Sequence, residues 1–400
     1  MALHGLDVSR SRGSESVEGT ESGGGRVKVP KSVIPRISVL CDVGGTHVLQ
    51  LFAGLTALRR NGQIQLDYRL PPSPETRRLH GGSLWFQADF AGRLVKVCID
   101  LFDGGAFASP DGLEKADVYF KRSYDSRVVQ TLDPSTRQKV KRLGLNLFCL
   151  GDTDKDIAVR TAIERRHRRN AGKPLTSDEW RFRATLLVSS WSPSWLPRTV
   201  GRHLIPRESA FRARAGVRRH ERVVFQPRVY PPEMAPTAPD ILDVNEQRAS
   251  LVRALRRRFG HRFIGGVCRS RFADQRYADC LTPLPDDQWT YIRMLRTCSV
   301  AVVTDGIHGS IPWKVPEFLA TGLCIVAEPL KYELPSPLLP GEHLLEYSTE
   351  EACLEACDRL LSNPQLRGSM EGANLAYFDT HVRAERLMAR CIAIASESAS

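Results

Sequence analysis

The stretch "SVAVVTDGIHGSIPWKVPEFLATGLCIVAEPLKYELP", residues 299–335, holds the residues with the clearest chemical purpose. An apolar run ends at Thr304 or Asp305, a loop with Gly306 and Gly309 follows, and His308, Ser310, Lys314 and Glu317 lie close behind. Glycines let a backbone approach a ligand closely. The start of a helix offers free N–H groups to a phosphate. A cation there suits a diphosphate, and a carboxylate suits a ribose diol. Pro316 at the first helical position makes Glu317 the second residue, with Lys314 in the loop just before. A helix capped at Ser310, with Pro312 in its first turn, is the other option, but it puts a kink at Pro316. Either start lets Lys314, Glu317 and His308 converge near a sheet edge. His308 is also suited to moving a proton, because an imidazole titrates near pH ~6.5. Asp305 reads as a turn former.

A second string, "CDVGGTH" at residues 41–47, has the Asp-x-Gly-Gly-Thr form of the phosphate loop in sugar kinases of the hexokinase and actin class. Such a loop joins two strands of a hairpin. Here "ISVL" is a short buried run, and "THVLQLFAGLTALRRNG" follows with Val48, Leu51, Phe52, Leu55 and Leu58 at helical spacing. Thr46 serves as an N-cap, and Asn-Gly stops the helix. Gly44 and Gly45 are then the first strand-to-helix turn, fixed by Asp42, and His47 opens the helix at the edge of a cleft. "IQLDYRL", "LVKVCIDLFDG", "DVYFKRSY" and "GLNLFCLG" read as further strands. Asp103, Lys121 and Arg122 follow apparent strands and face the same cleft.

A second strand–helix series begins at Arg222. "RVVFQPRVY", "RFIGGV", "SVAVVTD", "LCIVAEPL" and "HLLEYS" are strands. Helices such as "VNEQRASLVRALRRRFG" and "TEEACLEACDRLLSN" alternate with them. This alternation predicts an α/β fold of two doubly wound, parallel-sheet, Rossmann-like domains facing a cleft. The expected organisation is a disordered tail at 1–32 and an N-terminal domain at 33–152. A basic connecting segment follows at 153–221, then a C-terminal domain at 222–376 and a final helix at 377–400. Two domains suit a chain of 400 residues.

The succession "K-x-x-E-F-L-A-T-G-L-C-I-V-A-E-P" and then "L-P-G-E-H-L-L-E-Y-S-T-E-E" resembles the donor-binding half of nucleotide-sugar glycosyltransferases of the GT-B type, group 1 family. The resemblance covers about residues 222–376 and is best defined over 308–350. It implies that Glu317 holds the ribose hydroxyls of a nucleotide-diphosphate sugar, and that Arg228, after the strand "RVVFQPRVY", reaches the diphosphate with Lys314. His308, Gly309 and Ser310 line the donor loop. Many retaining relatives carry a second Glu eight positions before the ribose Glu, where this chain has Gly309, with His308 adjacent. His308 and Asp103 are the candidate catalytic groups. The resemblance also implies that the final helix crosses back to the first domain. The arrangement itself requires no fixed metal or cofactor, and the nucleotide-diphosphate sugar is a substrate. The expected acceptor is a glycan or a lipid-linked molecule.

Composition sets the partners. Apolar content of 42% and charged content of 26% are ordinary for a globular protein, and the formal net charge is +12. The positive excess lies between about 158 and 222, in "RTAIERRHRRNAGK", "LPRTVGRHLIPR" and "FRARAGVRRHER". A solvated basic surface, nucleic acid, an anionic membrane or a phosphorylated substrate would each account for it, and the expected contacts are a phosphorylated lipid acceptor or the membrane that carries it. Nucleic acid is not the expected partner, because the segment lacks interleaved aromatics for base stacking. The ten cysteines form no Cys-x-x-Cys pair and read as buried thiols of a cytoplasmic protein, placed at most against the inner face of the membrane. Two rival readings stay open: a non-catalytic binding protein of the same fold that uses its basic patch, and a sugar kinase.

Overall fold

The computed structural model describes residues 34–40, 46–69, 83–108, 110–152, 156–170, 172, 175–191, 204–212, 219–234, 239–285 and 287–399. The expected disordered tail at 1–32 and the residues Asp42, Gly44 and Gly45 lie outside them.

The chain enters a first sheet with β1 (Arg36–Leu40), where Ile37 and Val39 are fully buried. A 3-10 turn at Thr46–Val48 leads into α1 (Leu49–Arg60), which buries Leu51, Phe52, Leu55 and Leu58. Arg59 and Arg60 close its last turn, where cations favour the helix dipole. β2 (Gln65–Arg69) pairs parallel with β1. The "CDVGGTH" string therefore joins a strand to a helix within a parallel crossover, and the hairpin setting of a kinase loop does not occur.

β3 (Ser83–Phe90) and β4 (Arg93–Asp100) form a hairpin whose turn, Ala91–Gly92, is at positive φ in both residues. β5 (Val118–Lys121) and β6 (Val140–Arg142) add in parallel, giving the order β2-β1-β3-β4-β5-β6. The expected parallel sheet is present, with one strand reversed: β3 runs antiparallel to β1 and β4. β3 escaped the sequence reading because Ser83–Phe86 is buried throughout and shows no alternation. "GLNLFCLG" joins neither sheet; its one strand-like pairing among the described residues is the parallel bridge of Leu150 to Arg207. Leu143, Leu145 and Leu147 are buried, and the Leu147 N–H donates to Gln50 Oε1 at 2.5 Å instead of to a strand.

α2 (Ile157–Asn170) and α3 (Ser177–Trp191) form a helical hairpin. Thr176 and Glu179 cap α3 reciprocally: the Glu179 N–H donates to Thr176 Oγ1 at 3.3 Å, and the Thr176 N–H to Glu179 Oε2 at 2.8 Å.

The second sheet takes β7 (Val223–Phe225), α4 (Ile241–Phe259), β8 (Phe263–Gly265), α5 (Gln288–Thr297), β9 (Val300–Val303), α6 (Val315–Thr321), β10 (Cys324–Ala327) and β11 (Leu344–Glu346). All neighbours are parallel, in the order β11-β10-β9-β7-β8. Strand order reverses between β7 and β9, and open α/β sheets bind ligands beyond the carboxyl ends of strands at such a switch point.

α7 (Glu350–Ser362), capped by Thr349, and α8 (Pro364–Tyr377) cover this sheet. A π-turn at Phe378–Val382 then redirects the chain into α9 (Ala384–Glu397). α9 packs on α1 and adds Leu387, Met388, Cys391 and Ala395 to the core of the first sheet. The approach is close enough to require Gly54 on α1, since a Cβ there would lie 2.2 Å from the Ala384 carbonyl oxygen.

Candidate functional site

β7 ends at Phe225 and continues through Gln226, Pro227 and Arg228. β9 ends at Val303 and continues through Thr304 to Ser310. With α5 and α6 these exits enclose a cavity of about 630 Å³ at the switch point. His47, Asp103 and Phe148, from beyond the first sheet's strands, line its other side.

α6 starts at Val315, one residue earlier than a helix opened by Pro316, with Lys314 at the cap position and Glu317 third. Pro316 sits in the first turn, where its missing N–H removes no bond. The early start at Ser310 does not occur. The chain before Lys314 is a loop around a 3-10 turn at Ile307–Gly309, with His308 at φ +61° and Gly309 at φ +65°. A Cβ on Gly309 would meet Lys331 Cδ at 2.8 Å, and Lys331 pairs with Asp305 at 2.6 Å.

Glu317 is 8% exposed, and burial pushes its pKa up to about 7 against the pull of Lys314. The Tyr291 hydroxyl lies next to it, but Glu317 Oε2 and Tyr291 Oη both lack a protein partner of good geometry, as does Gln226 Oε1. All three residues line the one cavity. Buried polar atoms are nearly always paired, so Gln226 Oε1 and the loosely coupled Glu317–Tyr291 pair mark this wall as one with polar groups to spare.

The cations differ in their freedom. Lys314 Nζ donates to the Gln226 carbonyl and lies 4.7 Å from the Tyr291 ring centre, and burial lowers its pKa. Arg228 is exposed to the cavity and pairs with no carboxylate among the described residues. Arg248, which the sequence reading missed, is buried. It donates to Thr304 Oγ1 at 3.1 Å, to the Arg228 carbonyl at 2.7 Å and to the Asp305 carbonyl at 2.8 Å, tying the two strand exits together. Its signal was an arginine within the apolar face of α4, between Val244 and Leu251.

The remaining candidates divide. The structure does not bring the His308 side chain to the cavity. Its ring lies 5.8 Å from that of Phe102, and its N–H donates to Asp240 at 3.0 Å. Gly309 likewise shapes the loop without lining the cavity, whereas Ser310 lines it. Asp103 lines the cavity but is committed, accepting from Arg122 at 2.8 Å and from the Trp313 indole at 3.0 Å. Arg122 also donates to Asn146 at 3.0 Å and to the Ile311 carbonyl at 2.7 Å, and its guanidinium lies 3.9 Å from the Trp313 ring centre. It is thus a buried tie between the two halves, not a free cleft cation. Lys121 is buried against Asp100 at 3.3 Å and plays a structural part. His47 stacks on Trp313 with ring centres 4.0 Å apart, and partial burial holds its pKa below the usual value despite the opposing field of Asp103.

Among the described residues no group of three or more His, Cys, Asp and Glu side chains could hold a metal ion. A second bowl, of about 720 Å³, lies at the amino-terminal ends of the second sheet's strands, among Arg219, Arg222, Arg262 and Arg367. Arg219 and Arg367 donate to backbone carbonyls there, and no orphaned buried atom lines it. The groups that call for a ligand belong to the inter-sheet cavity.

No family model and no curated protein matches the chain. Solved structures do. A glycosyltransferase from Rickettsia africae ESF-5 is 11% identical, with 89% of this chain and 83% of that one covered and a TM-score of 0.40. The C-terminal domain of a glycosyl transferase group 1 family protein from Francisella tularensis is 10% identical, with 46% and 96% covered and a TM-score of 0.28. A putative UDP-N-acetylglucosamine 2-epimerase from Listeria monocytogenes is 11% identical, with 88% and 92% covered and a TM-score of 0.39. At these values the likeness carries no part of the functional argument, which rests on the cavity.

Proposed function

We propose that the chain transfers a sugar from a nucleotide-diphosphate sugar to an acceptor hydroxyl. The observation that carries this reading is the convergence of the under-paired Glu317, Tyr291 and Gln226 atoms with Arg228 and Lys314 at the β7–β9 switch point. Glu317 accepts from the ribose diol. Arg228 and Lys314 meet the diphosphate and stabilise the charge that grows on it as the bond to the sugar C1 breaks. The acceptor oxygen forms the new bond to C1 and loses its proton. Of the groups on the facing wall, His47 is suited to receive it: its lowered pKa keeps it neutral at pH 7, whereas Asp103 Oδ1 is already shared by Arg122 and Trp313. The expected acceptor is a glycan or a lipid-linked molecule.

Thermal-shift screening against UDP-, GDP-, ADP- and TDP-sugars, and against ATP, tests the reading. The expected result is a raised Tm with one class of sugar nucleotide. A shift with ATP alone, or with none of these ligands, contradicts it.

A further inference from the structure

The α2–α3 hairpin presents an outward face that no other described residue covers. Trp180, Ala184, Val188 and Trp191 recur along α3 at spacings of four, four and three residues, which is one stripe of a helix. Trp191 is 77% exposed, Val188 52% and Trp180 41%, and Val159 on α2 is 51% exposed. The stripe is not a misplaced core face, because the opposite sides of both helices are docked. Ile157 and Leu186 sit in an apolar cluster with Leu49, Leu150 and Ile205, and Arg183 pairs with Glu164. Large apolar side chains exposed together mark an interaction surface.

Charge identifies the occupant. Arg165, Arg166 and Arg169 stand on the exposed side of α2, and no carboxylate pairs with them among the described residues. Arg168, by contrast, pairs with Glu179 at 2.7 Å. The Arg165 guanidinium lies 5.5 Å from the Trp180 ring centre, so the unpaired cations and the aromatic stripe share one surface. Tryptophans that settle at headgroup depth, flanked by arginines that meet lipid phosphates, fit the surface of an anionic bilayer. Among the described residues no helix is long and apolar enough to cross a membrane, so the contact is one of lying on the surface.

We propose that the α2–α3 hairpin docks this protein on an anionic phospholipid surface. Phe148, on the cavity wall, packs against the same apolar cluster that seats the inner side of the hairpin, so the docking face and the cavity belong to one packed unit. A lipid-linked acceptor then enters from the bilayer. That last step rests on the glycosyl-transfer reading, whereas the docking does not.

Co-sedimentation of the full chain with vesicles tests the proposal. The chain partitions onto equimolar phosphatidylcholine–phosphatidylglycerol vesicles but not onto phosphatidylcholine alone, and added salt weakens the binding. Brominated acyl chains in the mixed vesicles quench its tryptophan emission. The pair Val188→Ser and Trp191→Ser, and separately the triple Arg165→Gln, Arg166→Gln and Arg169→Gln, each lower partitioning by about tenfold or more. Both variants keep the wild-type circular dichroism and the same thermal shift with sugar nucleotide, which separates loss of docking from loss of the donor site. No partitioning or quenching with the mixed vesicles, or equal partitioning by folded variants, overturns the proposal. So does a dimer of the wild-type chain that these substitutions abolish, which would assign the face to a second copy.

Discussion

A single carboxyl group, that of Glu317, links the stability of the chain to its site. Its pKa of about 7 in the folded protein lies above the ordinary 4.5, because burial disfavours the ion. The folded state therefore binds the extra proton between these values. The stabilisation is complete below pH 4.5 and is lost as the pH rises through 7. Glu317→Gln removes this dependence. In urea titrations it is expected to match the wild type near pH 5 and to exceed it near pH 8 by about 1–3 kcal/mol. A variant no more stable than the wild type at the higher pH would mean that the carboxylate is well solvated. Much of this site was legible in the sequence. Lys314 and Glu317 follow from a strand exit and a helix start, whereas Arg228 and Ser310 came from the family resemblance, and all four line the cavity. His308 was misplaced because spacing alone does not reveal that its φ of +61° turns the loop so that its ring meets Phe102. Trp313, which contacts Asp103, Arg122 and His47, was passed over because a lone aromatic in a loop carries no periodic signal.

Among the elements, α9 shows why order in the chain misleads. It follows the helices of the second sheet and yet completes the core of the first. Gly54 makes this docking specific. With a methyl group there, the Ala384 oxygen at 2.2 Å and Met388 Cγ at 2.6 Å must move. Gly54→Ala should therefore destabilise the protein by about 1–3 kcal/mol in urea unfolding, even though alanine favours a helix. An unchanged or raised stability would show that α9 shifts freely. Helices with a clear apolar period were readable, though their starts were less so. α1 opens at Leu49 after a 3-10 turn and not at a Thr46 cap, α4 begins at Ile241, three residues before Val244, and α7 starts after Thr349 as its cap signal says. β3 and the extended run after β6 were not readable. Burial on both faces erases alternation, and a strand and an extended loop differ only in their distant partners.

Across the whole molecule, the carboxyl ends of two sheets meet through a small set of polar ties. Arg122 is the central one, and three oxygens from both halves surround its buried guanidinium. Arg122→Met leaves Asn146 Oδ1 and the Ile311 carbonyl without their donor, while the partly exposed Asp103 keeps Trp313, and is expected to cost about 1–3 kcal/mol in urea unfolding. A smaller loss, below about 1 kcal/mol, would mean that the apolar contacts hold the halves together alone. The two-sheet plan was evident from the repeated strand–helix alternation, because each crossover needs an apolar strand and an amphipathic helix. The ties were not, since they join residues almost two hundred positions apart. We propose that the cavity between the sheets holds a sugar nucleotide through Glu317 and Arg228. Isothermal titration of the wild-type chain, Glu317→Ala and Arg228→Ala with the sugar nucleotide that gives the largest thermal shift tests it most directly. Each substitution should weaken binding by about 10–100-fold, the loss of a charge-assisted hydrogen bond, with folding intact. Equal affinity in all three proteins would contradict the account.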